Sequence, residues 1–153
     1  MSYWLMKSEP SEVSVDDLAA MPKKTVGWFG VRNYQARNFM MRDMKKGDGV
    51  LFYHSSCAEP GIVGIAEVAG SAYPDPTQFD PNSKYFDPKA SAEKPRWYQV
   101  DVKLKKKIPL ISLQQLRQVP VLAQMRLLAK GNRLSITPVA AQEWEAILKF
   151  LDQ

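Results

Sequence analysis

The chain has 153 residues, 45% apolar, 24% charged and 10% aromatic, a balance that supports a hydrophobic core and excludes an intrinsically disordered polypeptide. A single cysteine, Cys57, excludes an intrachain disulfide and a cysteine-built zinc site. The formal net charge of +5 and a pI of about 9.3 suit a polyanionic partner.

Tyr3–Lys7 reads as a first strand, broken at Pro10 and Ser11. The N-terminus has no basic segment followed by a long apolar run, so no signal peptide is expected, and no apolar run reaches membrane-helix length. Ser14 is placed to cap a short helix with Asp17 three residues on, Leu18 and Met21 on its apolar side and Pro22 ending it. Val26-Gly27-Trp28-Phe29-Gly30 is an aromatic loop or short strand between glycines. Asn33 caps the next predicted helix, in which Ala36, Phe39, Met40 and Met44 recur at helical spacing. After a turn at Gly47-Asp48-Gly49, Val50–Tyr53 and Gly61–Ala69 read as an antiparallel pair joined by a polar loop.

Residues 70–96 carry five prolines and four aromatics, Tyr73, Phe79, Tyr85 and Phe86. A loop this long inside a compact domain serves a function or is disordered, and its aromatics argue for order. Trp97–Leu104 is the clearest strand, with Tyr98, Val100, Val102 and Leu104 on one face and Trp97 on the other. Ser112 caps a short helix to Gln118, and a second is predicted over Val121–Ala129. Arg133–Ile136 is strand-like, then Thr137 caps a last helix with Pro138 at its first position and Trp144, Ile147, Leu148 and Leu151 as its buried stripe. Strands at both ends and in the middle, with helices at irregular intervals, give an α+β fold, a small mixed β-barrel decorated by short helices. With no repeat, linker or low-complexity segment, residues 1–153 are read as a single domain.

Charge is concentrated. Between Lys23 and Lys46 lie Lys23, Lys24, Arg32, Arg37, Arg42, Lys45 and Lys46 against Asp43 alone, a net +6, so the rest of the chain is close to neutral. The same window holds Trp28, Phe29 and Tyr34, and cations interleaved with aromatics suit phosphate contacts with base stacking. A solvated helix face over core aromatics would read the same way. Lys103, Lys105, Lys106 and Lys107 form a second basic run, read as a solvent-facing strand end.

Catalytic signatures are sparse. His54 is the only histidine, no phosphate-cradling glycine loop or metal-ligand cluster is present, and a His54–Cys57 dyad is the one hydrolytic arrangement available. Gly27 and Gly30 would let a ligand or another backbone approach Trp28 closely, and its indole could present a flat face to a base. Lys7, Ser8, Glu9 and Asn33 are the nearest polar groups of the right type to read a base edge.

Long ordered stretches resemble one family. They are Trp4-Leu5-Met6-Lys7-Ser8-Glu9-Pro10, the run Trp28–Asn38, Lys46-Gly47-Asp48 leading into Phe52-Tyr53-His54-Ser55, Gly61–Val68, Tyr73-Pro74-Asp75, Arg133-Leu134-Ser135, Pro138-Val139 and Glu143-Trp144. From end to end the chain resembles the EVE family of the PUA-like superfamily, which is similar to the YTH domains that hold N6-methyladenosine in an aromatic cage. The resemblance implies a PUA-like fold and a non-enzymatic reader that holds a flipped, modified base, notably a modified cytosine in DNA. It implies Trp28 as a cage wall, since it is similar to the first cage tryptophan of YTH domains, and Lys7-Ser8 as the counterpart of their Lys-Ser. Asn33, His54 and Ser55 fall inside the family motifs and are expected to line the pocket. Trp97, by strand parity, and Phe79 are the choices for further walls, with Tyr34 and Tyr53 behind them. The basic segment would hold the nucleic-acid backbone. A monomer is expected, without cofactor, metal or membrane, in the cytoplasm or, in a eukaryote, the nucleus. The alternative is a small-molecule-binding or hydrolytic protein working through His54 and Cys57.

Overall fold

Alternation along the central strands builds the molecule from both faces of one sheet. The computed structural model describes residues 1–152. Strands β1 (Tyr3–Ser8), β2 (Thr25–Gly27), β3 (Gly49–His54) and β4 (Gly61–Val68) are followed by a two-residue pair, β5 (Tyr73–Pro74) and β6 (Tyr98–Gln99). Strand β7 (Asp101–Ser112) and strand β8 (Ile136–Val139) complete the set. Six of them form a curled half-barrel in the order β2-β7-β4-β3-β1-β8. All its pairings are antiparallel except β1 with β3. The expected small mixed barrel is thus an open one, whose edge strands β2 and β8 do not meet.

Trp4 and Met6 of β1 and Val50 and Phe52 of β3 enter one core, while Leu5, Leu51 and Tyr53 enter a second on the opposite face. Register shifts in the β4–β7 ladder move the tail of β7 across, so Val102 and Leu104 join the first core and Ile108 and Ile111 the second.

Among the described residues, four α-helices, α1 (Val15–Ala20), α2 (Tyr34–Asn38), α3 (Leu113–Arg117) and α4 (Ala141–Leu148), pack around the sheet. Three expected caps are present. Ser14 and Asp17 form a capping box, Asn33 Oδ1 accepts the Ala36 N–H at 3.0 Å, and Ser112 caps α3. Helix α2 then widens over Phe39–Asp43, where the Met44 N–H reaches back five residues to the Phe39 carbonyl at 2.8 Å. This keeps Ala36, Met40 and Met44 buried and lays Phe39 against Trp4.

Three expectations are corrected. The helix predicted over Val121–Ala129 is two short 3-10 turns, Pro120–Leu122 and Arg126–Leu128, because its buried anchors Leu122, Met125 and Leu127 share no single helical stripe. Thr137 and Pro138 do not start the last helix. They lie in β8 opposite Leu5 and Trp4, where an edge strand tolerates a residue without an N–H, and α4 begins at Ala141 with Glu143 accepting the Ala140 N–H at 2.8 Å. The strand predicted to stop at Leu104 continues to Ser112.

Candidate functional site

The turn after β1, the segment after β2 and the loop after β3 converge at one end of the sheet. Between them lies a cleft of about 350 Å³. Lys7, Ser8 and Glu9 line it from β1 and the turn beyond, Trp28 and Phe29 from the segment after β2, and Ser55 from the loop after β3. The cleft thus gathers Trp28, Lys7, Ser8, Glu9 and Ser55 from distant parts of the sequence. Trp28 is buried, edge-on to Phe52 at 5.5 Å, and its backbone N–H donates to the Val100 carbonyl at 2.9 Å. Burial pushes the Lys7 ammonium below its ordinary pKa, and no ion pair among the described residues involves it. Its charge is held at a cost that an acceptor on a bound molecule would relieve.

Four expected lining residues are elsewhere. Asn33 is exposed and caps α2. His54 Nε2 accepts the Val15 N–H at 3.0 Å at the start of α1, and burial lowers its pKa despite the opposing charge of Asp16. Trp97 lies outside the cleft, stacked on Tyr34 at 4.9 Å, with its indole N–H on Asp87 at 2.7 Å. Phe79 ends a 3-10 turn, half-buried, away from the cleft.

The residues that replace them come from the long loop. Tyr85 crosses to the cleft, meets Phe29 edge-on at 5.9 Å and donates its hydroxyl to the Glu12 carboxylate at 2.6 Å. Burial would raise the Glu12 carboxyl, but hydrogen bonds from Lys84 and Tyr85 outweigh it and hold it below the usual range. Burial first, and Glu12 second, push the Tyr85 phenol up. Arg133 and Ser135 complete the rim.

The glycines beside Trp28 make room for the protein itself. A Cβ on Gly30, whose φ is +83°, would sit 2.8 Å from the Tyr85 ring, and one on Gly27 would sit 2.9 Å from the Tyr73 hydroxyl. Sequence reading missed the organiser of this packing, Asp75. Fully buried, it accepts the Gly30 N–H at 2.7 Å, an Arg32 N–H at 3.1 Å, and the Thr77 N–H and hydroxyl. The run Tyr73-Pro74-Asp75 was its one trace in the sequence.

Arg32 was expected on a phosphate, yet it donates all five of its N–H groups inside the protein, to Tyr85 O twice, Val31 O, Asp75 and Thr77. It is a bracket between the cleft and the long loop. No helix among the described residues is long and apolar enough to cross a membrane, and none of their His, Cys, Asp and Glu side chains cluster as a metal site.

The EVE domain model matches residues 2–150. This chain belongs to the EVE domain family. Thymocyte nuclear protein 1 of Homo sapiens is 43% identical over 167 aligned residues, covering 97% of this chain and 73% of that protein. A Pseudomonas syringae protein of known structure is 50% identical, with a TM-score of 0.90 over 97% of this chain and 98% of its own. Human THYN1 protein, solved in complex with 5-methylcytosine-containing DNA, is 41% identical, with a TM-score of 0.91 over 100% of this chain and 99% of its own.

In this EVE domain the basic segment divides. Lys23, Lys24, Arg42, Lys45 and Lys46 are exposed and take part in no ion pair among the described residues. Lys23 and Lys24 hold positive φ of 55° and 53° just before β2. In the second basic run, by contrast, Lys105 pairs with Glu67 and Lys107 with Asp16.

Proposed function

We propose that this EVE domain is a non-enzymatic DNA reader that takes an extruded, modified cytosine into the Trp28 cleft. The observation that carries the reading is the human THYN1 protein, close in fold and sequence, in complex with 5-methylcytosine-containing DNA. Trp28 supplies the stacking wall, with Phe29 and Tyr85 beside it. Glu9 can accept from the cytosine N4 amino group, and Lys7 and Ser55 can donate to its ring acceptors.

Extruding a base costs a few kcal/mol, and one stacked base returns about 1–3 kcal/mol. The exposed cations Lys23, Lys24, Arg42, Lys45 and Lys46 supply the remainder through phosphates. Burying one extra methyl adds ~0.8 kcal/mol, so the preference for 5-methylcytosine over cytosine is about fourfold rather than thousandfold. On this reading the protein works as a monomer, without cofactor or metal. The human relative is named a nuclear protein, and a DNA reader works beside DNA, in a nucleus or a nucleoid, rather than in the cytoplasm at large.

The hydrolytic alternative is weaker on geometry. His54 Nε2 is committed to the Val15 N–H, and neither His54 nor the exposed Cys57 lines the cleft.

The test is a pair of DNA duplexes differing by one 5-methyl group. Wild type should favour the methylated duplex a few-fold, and Trp28→Ala should bring the ratio to about one while keeping weak binding to both. A Trp28→Ala variant with the wild-type ratio sinks the assignment.

A further inference from the structure

From Tyr85 at the cleft, cations and rings alternate toward the surface. The Arg32 guanidinium lies 5.5 Å from the Tyr85 ring centre and 5.3 Å from that of Trp97. Trp97 stacks on Tyr34 at 4.9 Å and 18° between planes. Tyr34 is 47% exposed, and two further guanidiniums lie against it, Arg37 at 4.6 Å and Arg96 at 5.9 Å. The Tyr34 hydroxyl accepts from Arg96.

These two arginines differ from Arg32 in what they leave free. Arg37 donates to Asn38 Oδ1 through two N–H groups and to the Arg96 carbonyl through a third, so two of its five donors have no partner among the described residues. Arg96 donates to Asp87 and Tyr34 alone among the described residues, which leaves three. Asp87 also accepts the Trp97 indole N–H at 2.7 Å, so it steadies the Arg96 head without covering it. Both forks are therefore held in place, half-buried, with donors to spare. A pre-ordered fork loses little side-chain entropy on meeting an anion, and its planar geometry matches two phosphate oxygens. Trp97 covers one face of Tyr34, and the Arg37 guanidinium lies 4.6 Å from the Tyr34 ring and 5.9 Å from that of Trp97, so it rests against the stacked pair of rings.

We propose that Arg37 and Arg96, held on Tyr34, form a phosphate clamp that grips the DNA backbone next to the extruded nucleotide. The proposal rests on the base-reading function above, because the Arg32 bracket fixes the clamp beside the Tyr85 side of the cleft. Arg96 lies outside the basic segment and belongs to the long loop, so the clamp also explains why that loop is ordered by Asp75 and Gln78. Tyr34 is a positioning residue, and the arginines are the contacts.

Fluorescence anisotropy with methylated and unmethylated duplexes over a salt series tests it. Arg37→Gln and Arg96→Gln should each weaken both duplexes equally, on the order of tenfold at 0.1 M salt, and reduce the slope of log affinity against log salt by about 1. Arg96→Lys should restore the slope, which separates lost charge from lost folding. Tyr34→Ala should weaken both duplexes with every charge retained. Wild-type slopes in both glutamine variants, a loss confined to the methylated duplex, or an unaffected Tyr34→Ala overturns the clamp. If wild type binds both duplexes alike, the base-reading function fails, and the glutamine slopes still decide the clamp. No binding of either duplex by wild type overturns both.

Discussion

Asp75 carries four donors on one carboxylate with no exposed surface, which makes it the residue whose loss should be felt most widely. Asp75→Ala leaves the Gly30 N–H and the Arg32 guanidinium without their acceptor. Breaking a buried pair costs ~3–5 kcal/mol, and the 22% exposure of the Arg32 side chain reduces this to about 2–3 kcal/mol in urea unfolding. Gly30→Ala combines a left-handed backbone with a collision at Tyr85 and should cost about 2 kcal/mol, with Tyr85 displaced from the cleft. His54 gives a pH signature. Burial holds its folded pKa below the ordinary 6.5, so the unfolded chain takes up the proton first. The stability carried by the neutral ring is full above about 6.5 and is lost as pH falls through the folded value. Thermal melts of wild type should drop across this window more than those of His54→Gln, whose amide oxygen can take the Val15 N–H without titrating. Matching profiles would refute the role given to the imidazole. Trp28 was picked out by the family resemblance and does line the cleft, although the glycines beside it make room for Tyr73, Gln99 and Tyr85. Asp75 and Tyr85 were not, because each reaches its partner across more than forty residues of chain with no periodicity to mark it.

The long loop between β4 and Trp97 is held at its base by one side-chain amide. Gln78 Nε2 donates to the Asp75 and Trp97 carbonyls at 2.8 and 2.7 Å, while its Oε1 accepts the Arg96 and Trp97 N–H groups at 3.0 and 2.9 Å. Gln78→Ala orphans the Arg96 and Trp97 N–H groups, while the Asp75 and Trp97 carbonyls still accept the Gln78 and Asp75 backbone N–H groups, and each unsatisfied group costs about 1–3 kcal/mol before water replaces it. Hydrogen exchange at the Arg96 and Trp97 amides should accelerate by at least tenfold in that variant, with the amides of β3 and β4 unchanged. Uniform acceleration would mean the loop is not a separate unit. Elements announced by local chemistry were legible: the caps at Ser14, Asn33 and Ser112, and the β3–β4 pair. Thr137-Pro138 misled because a Thr-Pro pair before an apolar stripe is also a good helix start. The free edge of β1 decided otherwise, and an edge is a property of the assembled sheet.

Across the whole molecule, one segment carries +6 against +5 for the whole chain, and its exposed cations form no ion pair among the described residues. Changing both Lys45 and Lys46 to glutamate should weaken methylated and unmethylated duplexes alike and flatten the salt slope by about 2, the loss of two phosphate contacts. A selective loss for one duplex would show that these lysines sense the base. Composition and alternation gave the class of fold, but the curl of the sheet and the placing of Trp97 outside the cleft depend on register shifts and on the Tyr34 stack, which have no sequence period. The resemblance to a family did the rest. Every cleft residue that belongs to a core belongs to the core containing Trp28, and none to the core around Leu51 and Ile147 on the other face. The far face is thus insulated from the cleft: it can drift, be repacked by an engineer or be stiffened for heat, and the shape of the Trp28 side stays as it was.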